Sequence, residues 1–312
     1  MDVYVRTKVN IMNQSKLIAI AIIAILLVAG LCGAAVILKD DDGSYEPVVT
    51  GNVKVLGNAN NDDYIDEHDV ELLKDLSGKE WDKEKYPYAD ANNDEIIDSK
   101  DVEIVESIIN GTDCKVYYYD IYDSLVSVNY PVKHSRIGVS YWQQAELATL
   151  LGMWDNVVLA STSTTDSNSH RYDTSHVDKS FKSSKITSEL ILETKCDLVI
   201  ASQGKSDVVQ AAVDVDPNIT PYYVDVSKSS TYVSTVLTLG VLVNENEKAQ
   251  AYAGYVYSVK EKLEDGMSKV TEKADVVITL MYENQSTRAN ISVECDGTGA
   301  ADMIGMIANV YD

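Results

Sequence analysis

The longest unbroken apolar stretch of the chain runs from Leu17 to Leu38. It spans about 22 residues without a charge, and roughly 20 suffice to cross a bilayer. Arg6, Lys8 and Lys16 precede it, and Asp40, Asp41 and Asp42 follow Lys39. Basic residues stay on the cytoplasmic side, so everything after the run is expected outside. The run is longer than the apolar core of a cleaved signal peptide. Leu31 stands before Cys32, where a lipidated cysteine wants a small neighbour. The expectation is a retained single-pass anchor over 17–38, a cytoplasmic tail over 1–16 and a linker over 39–50.

Shorter apolar stripes follow. Val70, Leu72, Leu73 and Leu76 form one, and Val102, Ile104, Val105, Ile108 and Ile109 form another. Both recur at three- and four-residue intervals, the mark of short amphipathic helices with one apolar face. Asn110-Gly111 reads as the stop of the second helix. From about Lys133 the pattern changes to apolar runs alternating with amphipathic segments. Strands are expected at 136–140, 156–160, 197–201 and 220–225, with helices at 144–151 (stopped by Gly152) and 188–193. That alternation implies an α/β domain with a parallel sheet covered on both faces. A long helix is expected from about 245 to 273, with Ala249, Tyr252, Ala253, Val256, Val259 and Leu263 in register. Strands at 275–282 and 291–294 and a helix from about Ala300 complete the pattern.

Each of the two short helices is preceded by an acidic loop, and the two loops lie about 32 residues apart. The first places Asn58, Asn60, Asp62, Asp66 and Asp69 at positions 1, 3, 5, 9 and 12. The second places Asp90, Asn92, Asp94, Asp98 and Asp101 there. Tyr64 and Ile96 at position 7 can offer their backbone carbonyls. A twelve-residue loop wraps oxygens around Ca²⁺ with this spacing, so two ions are expected. A core as small as two such helices would draw much of its folding free energy from the metal.

Residues 51–113 resemble a dockerin, the duplicated calcium module that plugs into a cohesin. The resemblance implies the ligand sets just given and a cohesin-bearing partner. It also implies that Glu67-His68 and Ser99-Lys100 read that partner; their unlike charges make the two faces non-interchangeable. Position 6, usually glycine, is Asp63 in one loop and Glu95 in the other, and Asn58 lacks the formal charge of Asp90.

The net charge of −23 argues against a nucleic-acid partner. Cys114, Cys196 and Cys295 are too dispersed for a disulfide framework or a zinc site, and Cys196 is expected in the core. There are 20 Tyr against one Phe, so tyrosine count alone marks no site. No GxSxG, HExxH or Walker A pattern is present, so no catalytic residue is assigned.

Three further segments carry a second resemblance: Glu146-Leu-Ala-Thr-Leu-Leu-Gly152, the run from Glu189 to Ile200, and the turn from Leu239 to Ala249. In this order they resemble the helical-spine class of substrate-binding proteins that serve ABC importers of iron-siderophores, haem and cobamides. Cys196 stands where that family has proline. The resemblance implies an N-terminal α/β lobe over 133–228, a spine helix region over 229–273 and a partial C-terminal lobe over 274–312. It implies an ABC permease as partner, with Glu146 docking on it, and capture rather than turnover of a metal chelate or macrocycle. Ligands of open α/β sheets meet the loops after the strand carboxyl ends. Those loops offer Tyr141, Trp142, Gln203 and Lys205, and the second lobe offers Tyr282 and Arg288. His170, within a polar loop, is a further candidate for a metal or haem. Two other readings fit the same features: a dockerin-borne cell-surface adhesin or structural protein, and a surface hydrolase of unrecognised type.

Overall fold

The computed structural model describes residues 49–166, 171–182, 185–225 and 229–270, and four strands within 274–310. The expected anchor over 17–38 lies outside the described residues. Among the described residues no helix is long and apolar enough to cross a membrane.

The acidic-loop repeat contributes α1 (Glu67–Leu76) and α2 (Ser99–Ile109). Each helix opens with a reciprocal capping box. Asp66 and Asp98 cap the free amides of the first turn, while Asp69 and Asp101 bond back to the cap amide. Thus two loop positions with ligand spacing also start the helix. Val70 and Leu73 on α1 pack with Val102 and Val105 on α2, around Ala59, Ala89, Ala91 and Ile97. Gly111, at φ 65, ends α2 as expected.

A hairpin follows that the sequence analysis leaves unassigned: β1 (Cys114–Tyr119) and β2 (Leu125–Tyr130), antiparallel. Asp120 closes its turn by accepting from the amides of Tyr122 and Ser124, both at 2.9 Å. The hairpin fastens the acidic-loop repeat to the rest of the chain. Leu56 N donates to Tyr117 O and Tyr119 N to Lys54 O, both at 2.8 Å, around a Val55–Tyr118 bridge. Val53, Val55 and Ile108 are buried in one cluster with Val116, Tyr118, Ile137 and Leu237. Tyr130 Oη adds a 2.8 Å bond to Ile108 O. The two helices keep the small core of their own that the stripes predict, and the apolar edge at Val53, Val55 and Ile108 joins the large core as well.

The large domain is a parallel sheet of β3 (Ile137–Val139), β4 (Val157–Ser161), β5 (Lys179–Phe181), β6 (Leu198–Ser202) and β7 (Thr220–Val224). The strand order is β5-β4-β3-β6-β7. Between the strands run α3 (Trp142–Leu150), α4 (Thr162–Thr165), α5 (Ser188–Glu193) and α6 (Ser206–Val213). β3 and β4 are buried throughout, as a sheet covered on both faces requires. One face packs Ile137, Val139, Leu198 and Ile200 against Ala145, Leu147 and Val236. The other packs Leu159, Val199 and Ala201 against Ile191, Val209 and Ala212. Cys196 is buried there, its thiol pushed up to about 11 by desolvation.

The 229–273 region is two helices, α7 (Ser229–Leu242) and α8 (Asn246–Ser268). α7 is nearly all core, with Val233, Val236, Leu237, Leu239 and Leu242 buried. The break between them holds Asn244 at φ 59, where Tyr130 Oη donates to its Oδ1 at 3.1 Å. α8 buries Ala249 and Ala253 and leaves Val259 and Leu263 exposed.

Two expectations for the second lobe are corrected. The single strand at 275–282 is two strands, β8 (Ala274–Val276) and β9 (Thr279–Tyr282), in different sheets. β9 pairs antiparallel with β10 (Asn290–Val293). The helix expected from about Ala300 falls largely outside the described residues, and 308–310 form β11 (Ala308–Val310) instead, parallel to β8 with Val310 opposite Val276. β-branched residues suit that pairing better than a helix terminus.

Candidate functional site

β3 is the first strand of the sheet and β6 the fourth, yet they are neighbours, so the strand order reverses between them. Ligands of such sheets bind outside the carboxyl ends at that point. The two turns there are tied together: Ser140 N donates to Ile200 O at 3.1 Å and Ser202 N donates to Ser140 Oγ at 3.0 Å. Tyr141 and Trp142 leave β3 half-buried, with ring centroids 6.4 Å apart at 49°. Trp142 opens α3 two residues earlier than the expected helix start. Gln203 and Lys205 leave β6 in a single tight turn. The structure therefore brings four of the six expected ligand residues to adjacent turns. Tyr282 is the last residue of β9, and Arg288 lies outside the described residues.

The sequence analysis misses Tyr122. This residue sits at the hairpin tip, donates to Gln203 O at 3.3 Å and meets Tyr223 edge-on at 6.2 Å. Alternation within the Tyr-rich 114–130 segment is the signal that would have found the hairpin.

Glu146 does not stand alone on α3. Arg171 reaches it at 2.6 Å, which gives the carboxylate a partner inside the chain. Around the pair lie Tyr172, Tyr232 and Tyr252, whose phenols are pushed up first by burial and then by neighbours including Glu146. Tyr172 stacks on Trp154 at 4.7 Å, and His176 bonds Trp154 O at 3.0 Å. His134 bonds Val132 O at 2.9 Å. Both histidines are thus engaged locally, and His170 lies outside the described residues.

The two acidic loops repeat a set of internal bonds. Asn60 N and Asp66 N donate to Asp69, at 3.1 and 2.9 Å, and Asn92 N and Asp98 N donate to Asp101, at 3.1 and 2.8 Å. Asp62 and Asp94 each accept from the amide of position 7, at 2.7 and 3.1 Å. Asn61 and Asn93 both take the left-handed turn at position 4, with φ 58 and 57, where asparagine is tolerated. Position 1 differs. Asp90 accepts from Asp94 N and Glu95 N at 3.0 and 2.8 Å. Asn58 instead donates through Nδ2 to Val53 O and Asp62 O, at 2.9 and 2.8 Å. Its Oδ1, fully buried, has no hydrogen-bond partner.

An orphaned buried oxygen at the first loop position fits a cation, because leaving it bare costs about 1–3 kcal/mol. No three Asp, Glu, His or Cys side chains gather into a metal-sized cluster among the described residues. The donor sets here mix asparagine amides and main-chain carbonyls with carboxylates, which suits a hard cation of high coordination number. Glu67, Ser99 and Lys100 are exposed on the outer face, while half-buried His68 bonds Asp66 at 3.1 Å.

No family model and no curated protein matches the chain. Solved structures do. A periplasmic binding protein from Veillonella parvula aligns at TM-score 0.51 and 12% identity, over 64% of this chain and 66% of its own. A possible iron-binding (periplasmic solute-binding) protein from Staphylococcus epidermidis aligns at 0.46 and 19%, over 57% and 67%. A periplasmic heme-binding protein, RhuT from Roseiflexus, aligns at 0.47 and 16%, over 57% and 66%. The chain spans about two thirds of the length of these structures. The α/β part thus has the fold of a periplasmic binding protein lobe.

Proposed function

We propose that the protein is the substrate-binding component of an ABC importer for an iron-siderophore, haem or cobamide, held outside the membrane by the 17–38 anchor. The observation that carries this reading is the pair of tied turns at the strand-order reversal, with Tyr141 and Trp142 on one side and Gln203 and Lys205 on the other. Two large aromatic faces beside polar groups suit a flat or chelated ligand. Tyr122 extends that wall from the hairpin. Tyr282 and Arg288 would face the ligand from the second lobe. Glu146 remains the candidate permease contact; in that role it exchanges Arg171 for a partner arginine. The 51–113 module is a two-ion calcium dockerin, with cohesin read by Glu67, His68, Ser99 and Lys100.

The test is fluorescence of the full-length chain titrated with ferric siderophore, haem or cobamide. The chain has three tryptophans, so the Trp142→Ala variant must accompany it. Saturable quenching that weakens about tenfold or more in the variant is expected from the loss of one aromatic anchor. Equal affinity of both proteins would remove the ligand from this cleft, and chemical conversion of any of these compounds would favour an enzyme.

A further inference from the structure

A contact that the proposed function leaves unused joins the first calcium loop to α8. Asp63 occupies the loop's sixth position, where glycine is usual, and is only 6% exposed. Its Oδ1 accepts from Thr50 Oγ1 at 2.5 Å and Asn52 Nδ2 at 3.0 Å, and its Oδ2 accepts from Tyr257 Oη at 2.5 Å. Gln250 Nε2 donates to the Asp63 carbonyl. Asn52 Nδ2 also donates to Tyr257 Oη at 2.8 Å, and Ser234 Oγ on α7 donates to Asn52 O at 2.6 Å.

Every one of these donors is neutral. A buried carboxylate held by neutral donors is costly, and a divalent ion bound in the same loop would supply compensating charge. The loop geometry can transmit the ion's presence. Asp63 lies between position 5, Asp62, and position 7, Tyr64, both of which belong to the ligand set. Ligation on each side fixes the peptide units that aim Asp63 at Tyr257 and Gln250. The Tyr257 phenol is pushed up, first by burial and then by its bond to Asp63, so it stays a donor at any physiological pH. The second loop is arranged differently: the Glu95 side chain at its sixth position meets exposed Lys83, at 3.5 Å.

We propose that the first loop is a calcium-dependent clamp whose partner is this chain's own helix α8, gripped through Asp63, Gln250 and Tyr257. The proposal rests on reading 58–69 as a calcium loop. Under it, Asp63 replaces glycine because the position is a docking residue, and the module anchors the rod that leads to β8. Occupancy of the first loop then sets how firmly α8 is held.

The experiment is hydrogen exchange of residues 246–258 in the full-length chain in detergent, with Ca²⁺ and with EGTA, alongside calcium stoichiometry by titration calorimetry. Two ions and about tenfold slower exchange of this segment in Ca²⁺ are expected, the signature of a local opening made costlier. Asp63→Gly, which restores the usual loop residue, and the Gln250→Ala/Tyr257→Phe pair should keep both ions and lose the difference. Two ions with equal α8 exchange in both buffers would overturn the clamp and leave the calcium loops standing. Protection that survives in both variants would overturn it too. Absence of calcium binding would overturn the loop reading and the clamp together.

Discussion

The two acidic loops share a spacing and a capping box, yet they sit in opposite surroundings. In the first, Asn58, Asn60, Asp62, Asp63 and Asp69 are all buried. In the second, Asp90 and Asp101 are buried, while Asp94, Glu95 and Ile96 face solvent. The sixth residue of the first loop bonds to α8, whereas that of the second meets a surface lysine. The first position of one loop carries an orphaned oxygen, and that of the other bonds to main-chain amides. Lys100 reaches Asp94 at 3.1 Å and Asp98 at 3.5 Å, so a protein cation lies beside the second ligand set. The same twelve-residue spacing therefore serves two ends. One copy is wired into the fold, and the other stays at the surface.

The largest expected difference is in pH. Burial raises the Asp69 carboxyl from 3.8 to about 7, against the backbone amides that would lower it. A carboxyl raised in the folded state stabilises the fold while protonated. In metal-free protein that contribution is complete below about pH 4 and is lost as pH rises through about 7. A displacement of roughly three pH units is worth on the order of 4 kcal/mol. Urea midpoints in EGTA should therefore fall between pH 4 and 7, and Asp69→Asn should flatten that fall. Asp101 is raised in the same direction by the same cause. Asp101→Asn is expected to change the slope less; equal slopes in the two variants would erase the asymmetry between the loops.

Glycine chemistry sharpens the contrast next. Gly57, just before the first loop, has φ +107, and a Cβ there would stand 2.8 Å from Val105 Cγ2. The second loop has Ala89 at the equivalent place. Gly78, after α1, has φ +73 and nothing within 4 Å. Gly57→Ala should cost about 3 kcal/mol, from backbone strain plus overpacking, whereas Gly78→Ala should cost about 1 kcal/mol from strain alone. Thermal unfolding of both variants checks this, and equal losses would mean that the Gly57 turn yields.

What was legible in the sequence follows the range of the interactions. The loops, both helix starts and the Gly111 stop depend on residues a few positions apart, and each stands where the spacing puts it. The βα alternation was equally local, and the helix at 188–193 matches to the residue. It also placed Tyr141, Trp142, Gln203 and Lys205 after the right strands, since a loop follows from its strand. The weld between module and lobe was not legible. Val53 and Val55 carry no strand pattern of their own until Tyr118 pairs beside them, and nothing near Asp63 announces Tyr257, almost 200 positions on. Arg171 beside Glu146 was hidden for the same reason. The division of 275–282 into two strands depends on partners at 290–293 and 308–310 that no local pattern specifies.

The smallest effect separates the loops most selectively. Lys100 is exposed, and its bond to Asp94 holds that carboxyl below the ordinary carboxylate range. A cation so placed competes with Ca²⁺ twice, by occupying an oxygen of a ligand and by repelling the ion. Exposed pairs of this kind contribute little, so Lys100→Met should raise the second loop's calcium affinity by at most about fivefold. Raising the salt concentration should shrink the gain, because screening weakens the native competition. The first loop should not respond, because Lys100 reaches carboxylates of the second, whereas in the first His68 meets Asp66 at 3.1 Å. Calorimetry that resolves two calcium events would show one shifting and one fixed. Movement of both would mean that the ions are coupled through the shared α1–α2 core, and the contrast between a wired loop and an open one would then give way to a single cooperative pair.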